Sequence, residues 1–326
     1  MFPSASSGRG KLVLIDGNAI LHRAYHALPP LTTKRGEPIN AVYGFISMLL
    51  RIIQDLKPTH IAVAFDRKEP TFRHEEFKEY QANRPETDKE LTSQFEKARD
   101  TMAAFGIPIY DKAGYEADDV IGTLAALAVR GKRSEVSKKT KFQALGSNKL
   151  VDEVVIVTGD RDILQLVTDK VKVYMPIRGL KDTQLMGKNE VVEKMGVKPS
   201  QIDDFKALVG DPSDNYPGVP GIGQKTAIKL IARFKSLDKI YKSLDKLPKP
   251  VAEKLKEGRE SALQSQKLAE IVTDVDLKVD FGEMSKWQVD SPRVLNLFSE
   301  FGFKTLTERV KKVGKELDLE KQTSLF

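Results

Sequence analysis

Nine carboxylates in this 326-residue chain fall where chemistry on a phosphate could use them. Asp16 follows the apolar run Lys11-Leu12-Val13-Leu14-Ile15, Asp66 follows Ile61-Ala62-Val63-Ala64-Phe65, and Asp160 and Asp162 follow Val154-Val155-Ile156-Val157-Thr158-Gly159. Glu116, Asp118 and Asp119 open a helical run, and Asp211 and Asp214 sit in the turn Gly210-Asp211-Pro212-Ser213-Asp214-Asn215. Acids brought together repel one another unless cations neutralise them. Hard divalent ions with oxygen ligands, Mg²⁺ or Mn²⁺, are the natural partners. The chain has no cysteine and only four histidines (His22, His26, His60, His74), which excludes a thiolate zinc site and gives a histidine-rich one little support. Each acid taken singly also reads as a turn former or helix cap. Three strand-terminal placements together with two further clusters argue for one shared pocket.

The apolar runs that precede these acids are short and continuous, the pattern of strands buried on both faces in a parallel sheet covered by helices. Sites in such sheets form at the carboxyl ends of the strands, so acids placed there converge. Residues 1–187 alternate strand-like and helix-like runs, which predicts an α/β domain, and from residue 188 onward the chain reads as helical. The length favours one large domain plus a smaller one. Residues 171–175 and 182–185 predict a hairpin closing the first domain. Residues 67–100 read as a helical excursion over the sheet, where bases interleave with Phe and Tyr; such mixtures suit single-stranded nucleic acid, and an ordinary amphipathic surface helix accounts for the same composition. Residues 130–149 hold seven Lys or Arg against one acid and read as a solvated external loop.

The helical part centres on Gly218-Val219-Pro220-Gly221-Ile222-Gly223-Gln224-Lys225-Thr226, in a hairpin over 217–226. Glycines there let backbone approach a phosphate while the following helix offers unpaired N–H donors, the way helix-hairpin-helix elements grip a duplex without reading sequence. A nucleotide-binding loop would need Lys directly after the last Gly, and Gln224 intervenes. A structural helix-helix turn is the alternative. Formal charge is +7, from 53 basic against 46 acidic residues; without the nine clustered acids, 53 bases face 37 acids, or +16. That balance suits a polyanion partner around a local acidic pocket. No apolar run approaches a membrane span, no signal peptide is visible and cysteine is absent, so a soluble, cytoplasmic and nucleoid-associated protein is expected, with no membrane partner.

Taken in order, Asp16, Asp66, Tyr115-Glu116-Ala117-Asp118-Asp119, Thr158-Gly159-Asp160-Arg161-Asp162, Gly210 to Asn215 and Pro217 to Gly223 resemble the 5′ nuclease domain of bacterial DNA polymerase I, within the flap endonuclease superfamily. The similarity runs from about Lys11 to about Phe303 and includes Arg23-Ala24-Tyr25-His26-Ala27 and Ala41-Val42-Tyr43-Gly44-Phe45. It implies a PIN-like, mostly parallel sheet flanked by helices, a helical arch and a C-terminal helix-hairpin-helix subdomain over 188–303. It further implies a monomeric two-metal hydrolase that cuts DNA or an RNA primer at flaps, nicks and 5′ ends during replication and repair, with two Mg²⁺ (Mn²⁺ as substitute) and K⁺ at the hairpin carbonyls. By position, Asp16, Asp66, Glu116, Asp118 and Asp119 would hold the first metal directly or through waters, and Asp160, Asp162, Asp211 and Asp214 would form the second group. Arg23, Lys78 and Arg84 would act at the scissile phosphate and Arg73 and Tyr80 on the unpaired strand. Gly218, Gly221, Gly223, Lys225 and Thr226 would hold the duplex.

Two departures from the family stand out: Gln81 where Lys usually follows the arch Tyr, and the basic stretch at 130–149. The ending Gln322-Thr323-Ser324-Leu325-Phe326 is similar to the peptide by which bacterial proteins bind the sliding clamp, with Gln322, Leu325 and Phe326 as anchors on a charged tail over 304–326. A small RNase with the same sheet, and a catalytically idle module that binds nicks or flaps, are the rival readings. The hairpin and arch weigh against the first, and the concentration of acids near DNA against the second.

Overall fold

The computed structural model describes residues 10–130, 151–179 and 182–323. Six strands form one sheet: β1 (Lys11–Asp16), β2 (His60–Ala64), β3 (Ile109–Tyr110), β4 (Glu153–Val157), β5 (Val171–Arg178) and β6 (Asp182–Met186), in the spatial order β3-β2-β1-β4-β5-β6. All neighbours are parallel except β5 and β6, the antiparallel hairpin foreseen from the sequence. The order reverses at β1, the switch point at which an open α/β sheet leaves a crevice beyond the strand ends. The β3 strand was not foreseen, because two residues carry no periodicity; it is held by Val63 N–H on Pro108 and Phe65 N–H on Tyr110.

Helices cover both faces. Along β1, Leu12 and Leu14 face one apolar cluster while Val13 and Ile15 face the other, as the period of two in a doubly covered strand requires. The second face is covered by α1 (Gly17–Ala27), α2 (Asn40–Leu56) and α5 (Gln94–Phe105). The expected arch is compact: α3 (Phe72–Glu76), a run of turns and α4 (Lys89–Thr92) lead directly into α5. On the first face lies α6 (Ala117–Arg130), with Val120, Ile121 and Leu124 buried. The same apolar cluster runs on into α7 (Lys188–Met195), α8 (Ile202–Val209), α9 (Gln224–Phe234), α10 (Leu237–Tyr241), α11 (Lys249–Glu257) and α12 (Arg259–Ala269).

The chain then returns to the other face. In α13 (Pro292–Phe301), Phe298 stacks edge-on against Phe105 at 6.1 Å, and α14 (Lys304–Thr323) buries Leu306, Val310 and Val313 in the cluster that holds α2. Lys57 pairs with Glu320 at 2.5 Å, and Arg309 donates to the Ser47 hydroxyl at 3.3 Å. Up to residue 323 this corrects the reading of a tail: the exposed charged residues lie on the solvent side of an amphipathic helix whose apolar side completes the sheet's cover, and residues 324–326 lie outside the described residues. The stretch at 130–149 expected as an external loop lies, from residue 131, outside the described residues, as do Leu325 and Phe326. No described helix is long and apolar enough to cross a membrane.

Two glycines are demanded by close approach. A Cβ on Gly17 would lie 2.4 Å from the Phe65 ring, so its absence lets the ends of β1 and β2, and with them Asp16 and Asp66, come together. Gly218 has φ +65°, and a Cβ there would meet the Gly210 nitrogen at 2.2 Å; the hairpin therefore packs backbone to backbone on the residue before Asp211. If α14 is part of the core, Leu306→Ala will cost about 2–5 kcal/mol in chemical denaturation, the usual range for truncating a buried Leu. A free tail would show no change.

Candidate active site

Each strand end delivers its acid with local support. Asp16 caps α1: one carboxylate oxygen accepts from Ala19 N–H at 2.9 Å and the other from the Thr158 hydroxyl at 2.7 Å. Asp66 accepts from Ala117 N–H at 2.7 Å, at the start of α6, and its own N–H donates to the Asn18 side chain at 3.1 Å. Unsatisfied N–H groups at helix starts draw carboxylates, and this places two strand ends and one helix start around the same point. Asp160 donates its N–H to the Thr158 hydroxyl and accepts from Asp162 N–H at 2.8 Å, which curls the β4 end into the cleft. Asp118 projects from the first turn of α6 and makes no ion pair with another described residue.

The resulting cleft, about 710 Å³, is lined by Asp16, Asp66, Glu116, Asp118, Asp160, Asp162 and Asp214 among others. On its far side, carboxylate oxygens of Asp162, Asp211 and Asp214 lie within 4.8 Å of one another. Burial, with help from the neighbouring acids Asp66 and Asp160, pushes Asp16 up to about 7 despite its two hydrogen bonds. Burial likewise pushes Glu116 up to about 7 against the opposing Arg73 charge, raises Asp66, and raises Asp118 well above its ordinary value with Asp160 and Asp16 adding to the effect. Asp162 rises to about 7 by burial, although Lys206 opposes it. For Asp211, burial is outweighed by Lys206 and by the Ser213 hydrogen bonds, and its carboxyl is held below the usual range. Clustered donors that are all hard oxygens, most of them raised by burial and by one another, fit Mg²⁺ or Mn²⁺. A buried Tyr216 hydroxyl with no hydrogen-bond partner among the described residues, beside Asp162, Asp211 and Asp214, fits a hydrated ion there as well.

Several expected site residues sit elsewhere. Asp119 does not line the cleft: its oxygens accept from Arg73 at 2.7 and 2.9 Å, from Glu116 N–H at 3.1 Å and from Val272 N–H at 2.9 Å. It is a buried anchor, with both oxygens engaged by Arg73, so direct ligation of the first metal is corrected for Asp119. Arg73, expected on the DNA strand, spends its guanidinium on Asp119 and on the Leu268 and Glu270 carbonyls at 2.9 and 2.7 Å, and is 2% exposed. Tyr80 is also inside, its hydroxyl 3.3 Å from Glu116 and 3.5 Å from Asp214, so in this state it offers no open ring face for stacking. Of the three expected catalytic bases, Arg84 lines the cleft and donates to Asp214 at 2.6 Å. Arg23 instead holds the Ile177 and Gly179 carbonyls at 2.9 and 2.8 Å, and Lys78 is exposed away from the cleft.

Gln81 adopts φ +57° and binds Asp214 through both its backbone N–H (2.9 Å, to the carbonyl) and its side chain (3.3 Å). In the hairpin, Gly221, Gly223 and Lys225 are exposed and Thr226 is half-buried, while Gly218 is buried, with its N–H on Ser265 and its carbonyl on Ser261. The Gly221 carbonyl accepts from Lys254 at 3.2 Å. Sequence reasoning missed Thr158, Asn18 and Lys206. The first two look like ordinary strand-end and helix-start residues; the signal for Lys206 was a charge set between apolar core positions on α8.

The chain matches the family models for the 5′-3′ exonuclease N-terminal resolvase-like domain over residues 11–196 and the 5′-3′ exonuclease C-terminal SAM fold over 197–292. It is 42% identical to DNA polymerase I of Bacillus subtilis over 303 residues, which is 93% of this chain and 32% of the polymerase. Against DNA polymerase I of Mycobacterium tuberculosis the figures are 38% over 312 residues, 94% and 32%. The chain thus spans about a third of the length of the curated relatives it matches. Among solved structures, the bacteriophage flap endonuclease from T5, in a complex with DNA and metal ions, superposes with TM-score 0.63 at 20% identity, covering 93% of this chain and 97% of that one. The catalytic core of Rad2 with DNA substrate gives 0.56 at 16% identity, covering 94% and 91%. These distant structures share the fold.

Acids raised toward neutrality bind more protons in the folded than in the unfolded chain between about pH 4 and 7, so apo stability falls as pH rises through that window. In EDTA the melting temperature should therefore drop from about pH 5 to about pH 8, and Mn²⁺ should restore more at the higher pH; a flat or rising profile counts against the pocket. Asp119→Asn should destabilise by about 1–3 kcal/mol, because it removes the charge paired bidentately with buried Arg73 and leaves it Glu116 at 3.3 Å as its remaining anion. Asp118→Asn, which relieves repulsion, should instead raise stability in EDTA.

Proposed function

The chain belongs to the 5′-3′ exonuclease family, and on that basis we propose a structure-specific 5′→3′ exonuclease and 5′-flap endonuclease that hydrolyses phosphodiester bonds with two Mg²⁺ ions. The observation that carries this reading is the convergence of Asp16, Asp66, Glu116, Asp118, Asp160 and Asp162 on one cleft, where burial and mutual repulsion raise several of them above the ordinary carboxylate range. Two divalent ions, when bound, supply a water of lowered pKa and neutralise charge on the phosphate and the leaving oxygen. The residues that would hold them are Asp16, Asp66, Glu116 and Asp118 on one side and Asp160, Asp162, Asp211 and Asp214 on the other. Thr158 orients Asp16, and Asn18 fixes the backbone at Asp66. Arg84, 51% exposed in its side chain, is free to turn from Asp214 to a substrate phosphate. No protein nucleophile is required.

Substrates in this reading are nicked or branched duplexes with a 5′ flap or 5′ end, including RNA primers, with the duplex held at the exposed hairpin by Lys225, Thr226 and backbone N–H groups at the start of α9. K⁺ at the hairpin carbonyls belongs to the same proposal, with Lys254 already on one of them. The protein acts as a monomer, and Gln322, exposed on the last turn of α14, begins the segment proposed to bind the sliding clamp through Leu325 and Phe326.

A flap-labelled 5′-flap DNA, incubated with wild type and Asp160→Ala in Mg²⁺ or EDTA, tests the reading. Cutting near the junction is expected in Mg²⁺ alone, falling by about 10²–10³-fold or more in the variant, the size found for removing one preorganised electrostatic group. Junction binding without cutting in either Mg²⁺ or Mn²⁺ would leave a DNA-binding module instead. A second test concerns residue 81. Lys carries the same left-handed backbone cost as Gln, so Gln81→Lys isolates the added charge and should raise the single-turnover rate; an unchanged rate removes Gln81 as a brake on turnover.

A further inference from the structure

The two carboxylate groups of the cleft differ in how their charge is met. In the first group Asp16, Asp66 and Asp118 form no ion pair with a described Lys or Arg, and Glu116 meets only Arg73, at 3.3 Å, whose guanidinium is already held by Asp119. In the other group, the Lys206 ammonium lies between Asp162 and Asp211, in contact with both, and Arg84 holds Asp214. Lys206 reaches this place from α8 with a side chain only 9% exposed, so it is an interior residue whose one evident partner is the acid pair. These are the acids whose oxygens gather within 4.8 Å. Beside them the Tyr216 hydroxyl is buried without a hydrogen-bond partner among the described residues, an atom that a hydrated cation would satisfy and that the ammonium does not.

We propose that Lys206 is a resident place-holder for the second cation, keeping the Asp162–Asp211–Asp214 group neutralised in the DNA-free protein so that the first group takes a divalent ion well before the second does. A buried group of acids without positive charge would be driven apart or protonated, and a divalent ion entering there must first displace an ammonium held by two carboxylates. In the first group Arg73 touches Glu116 alone and is anchored by Asp119 and two carbonyls, so no cation lies between two of its acids. Lys206 is thus a positioning residue that sets the order of metal loading. The inference rests on the two-metal reading of the cleft.

The test is a Mn²⁺ titration of the full chain without DNA, with free Mn²⁺ followed by electron paramagnetic resonance. Wild type should bind one ion at least about tenfold more tightly than the next, within the range over which outer partners tune metal sites. In Lys206→Met the two affinities should converge to within about threefold, mainly by tightening of the weaker one, while Lys206→Arg, which retains the charge, should keep the wild-type ratio. Lys206→Gln, which keeps donors to both acids, repeats the measurement in a less disruptive side chain. An unchanged ratio in both neutral variants overturns the proposal. Should both unfold in chelator, refolding on addition of Mn²⁺ supports it and failure to refold overturns it. Wild type that binds no Mn²⁺, or binding indifferent to Asp118→Asn, would strike at the two-metal reading instead.

Discussion

Carboxylates that converge beyond β1, β2 and β4 repel one another in a partly desolvated cleft, and the surrounding structure is organised to withstand that repulsion. Each acid is tethered by a neutral donor: Asp16 by Ala19 and Thr158, Asp66 by Ala117, Asp160 by Asp162. Neutral donors fix direction without cancelling charge, which leaves the group in need of cations. A fully compensated site would be more stable and would have nothing to offer a metal.

The stabilising ion pair lies one layer behind. Arg73 and Asp119 are both buried, and between them they bind the start of α6, the end of α12 and the segment after it through Glu116, Leu268, Glu270 and Val272. The arch, the sheet domain and the helical part therefore meet at one bidentate pair. Such pairs gain through geometry and full hydrogen bonding what they lose in desolvation, and removal of either member leaves an uncompensated charge. Nearby, the turn at 214–215 is pinned to the arch by Gln81, Asn83 and Asn215, so the position of Asp214 depends on a segment more than a hundred residues away.

The hairpin is joined to the same site by backbone. Gly218 packs on Gly210, and Ser261 and Ser265 of α12 hold its carbonyl and N–H. A duplex resting on the exposed glycines would thus be held in fixed relation to Asp211 and Asp214, with few side chains in between to absorb movement. The return of α13 and α14 to the far face of the sheet adds stiffness by covering apolar surface on α2 and α5 that would otherwise face water.

The sequence by itself determined β1, β2 and β4, because continuous apolar runs such as 12–15 and 154–157 fit little else, and it determined that acids cluster at their ends, whereas the two-residue β3 carried no such signal. The hairpin of β5 and β6 and the glycine loop were legible for the same reason: their signals are local. Tertiary structure alone decided which acids face the cleft. Asp118 and Asp119 are adjacent in sequence and identical in chemistry, yet the 100° step between helical neighbours turns one to the pocket and the other to Arg73. It also decided that Lys206 belongs to the site and that Arg73 and Tyr80 lie inside, since their burial and pairing depend on partners distant in sequence, such as Asp162 for Lys206, Glu116 for Tyr80 and Leu268 for Arg73. The end of the chain was misread as a tether for a related cause: its charges dominate its composition, while the few apolar residues that dock α14 acquire meaning only once α2 stands opposite them.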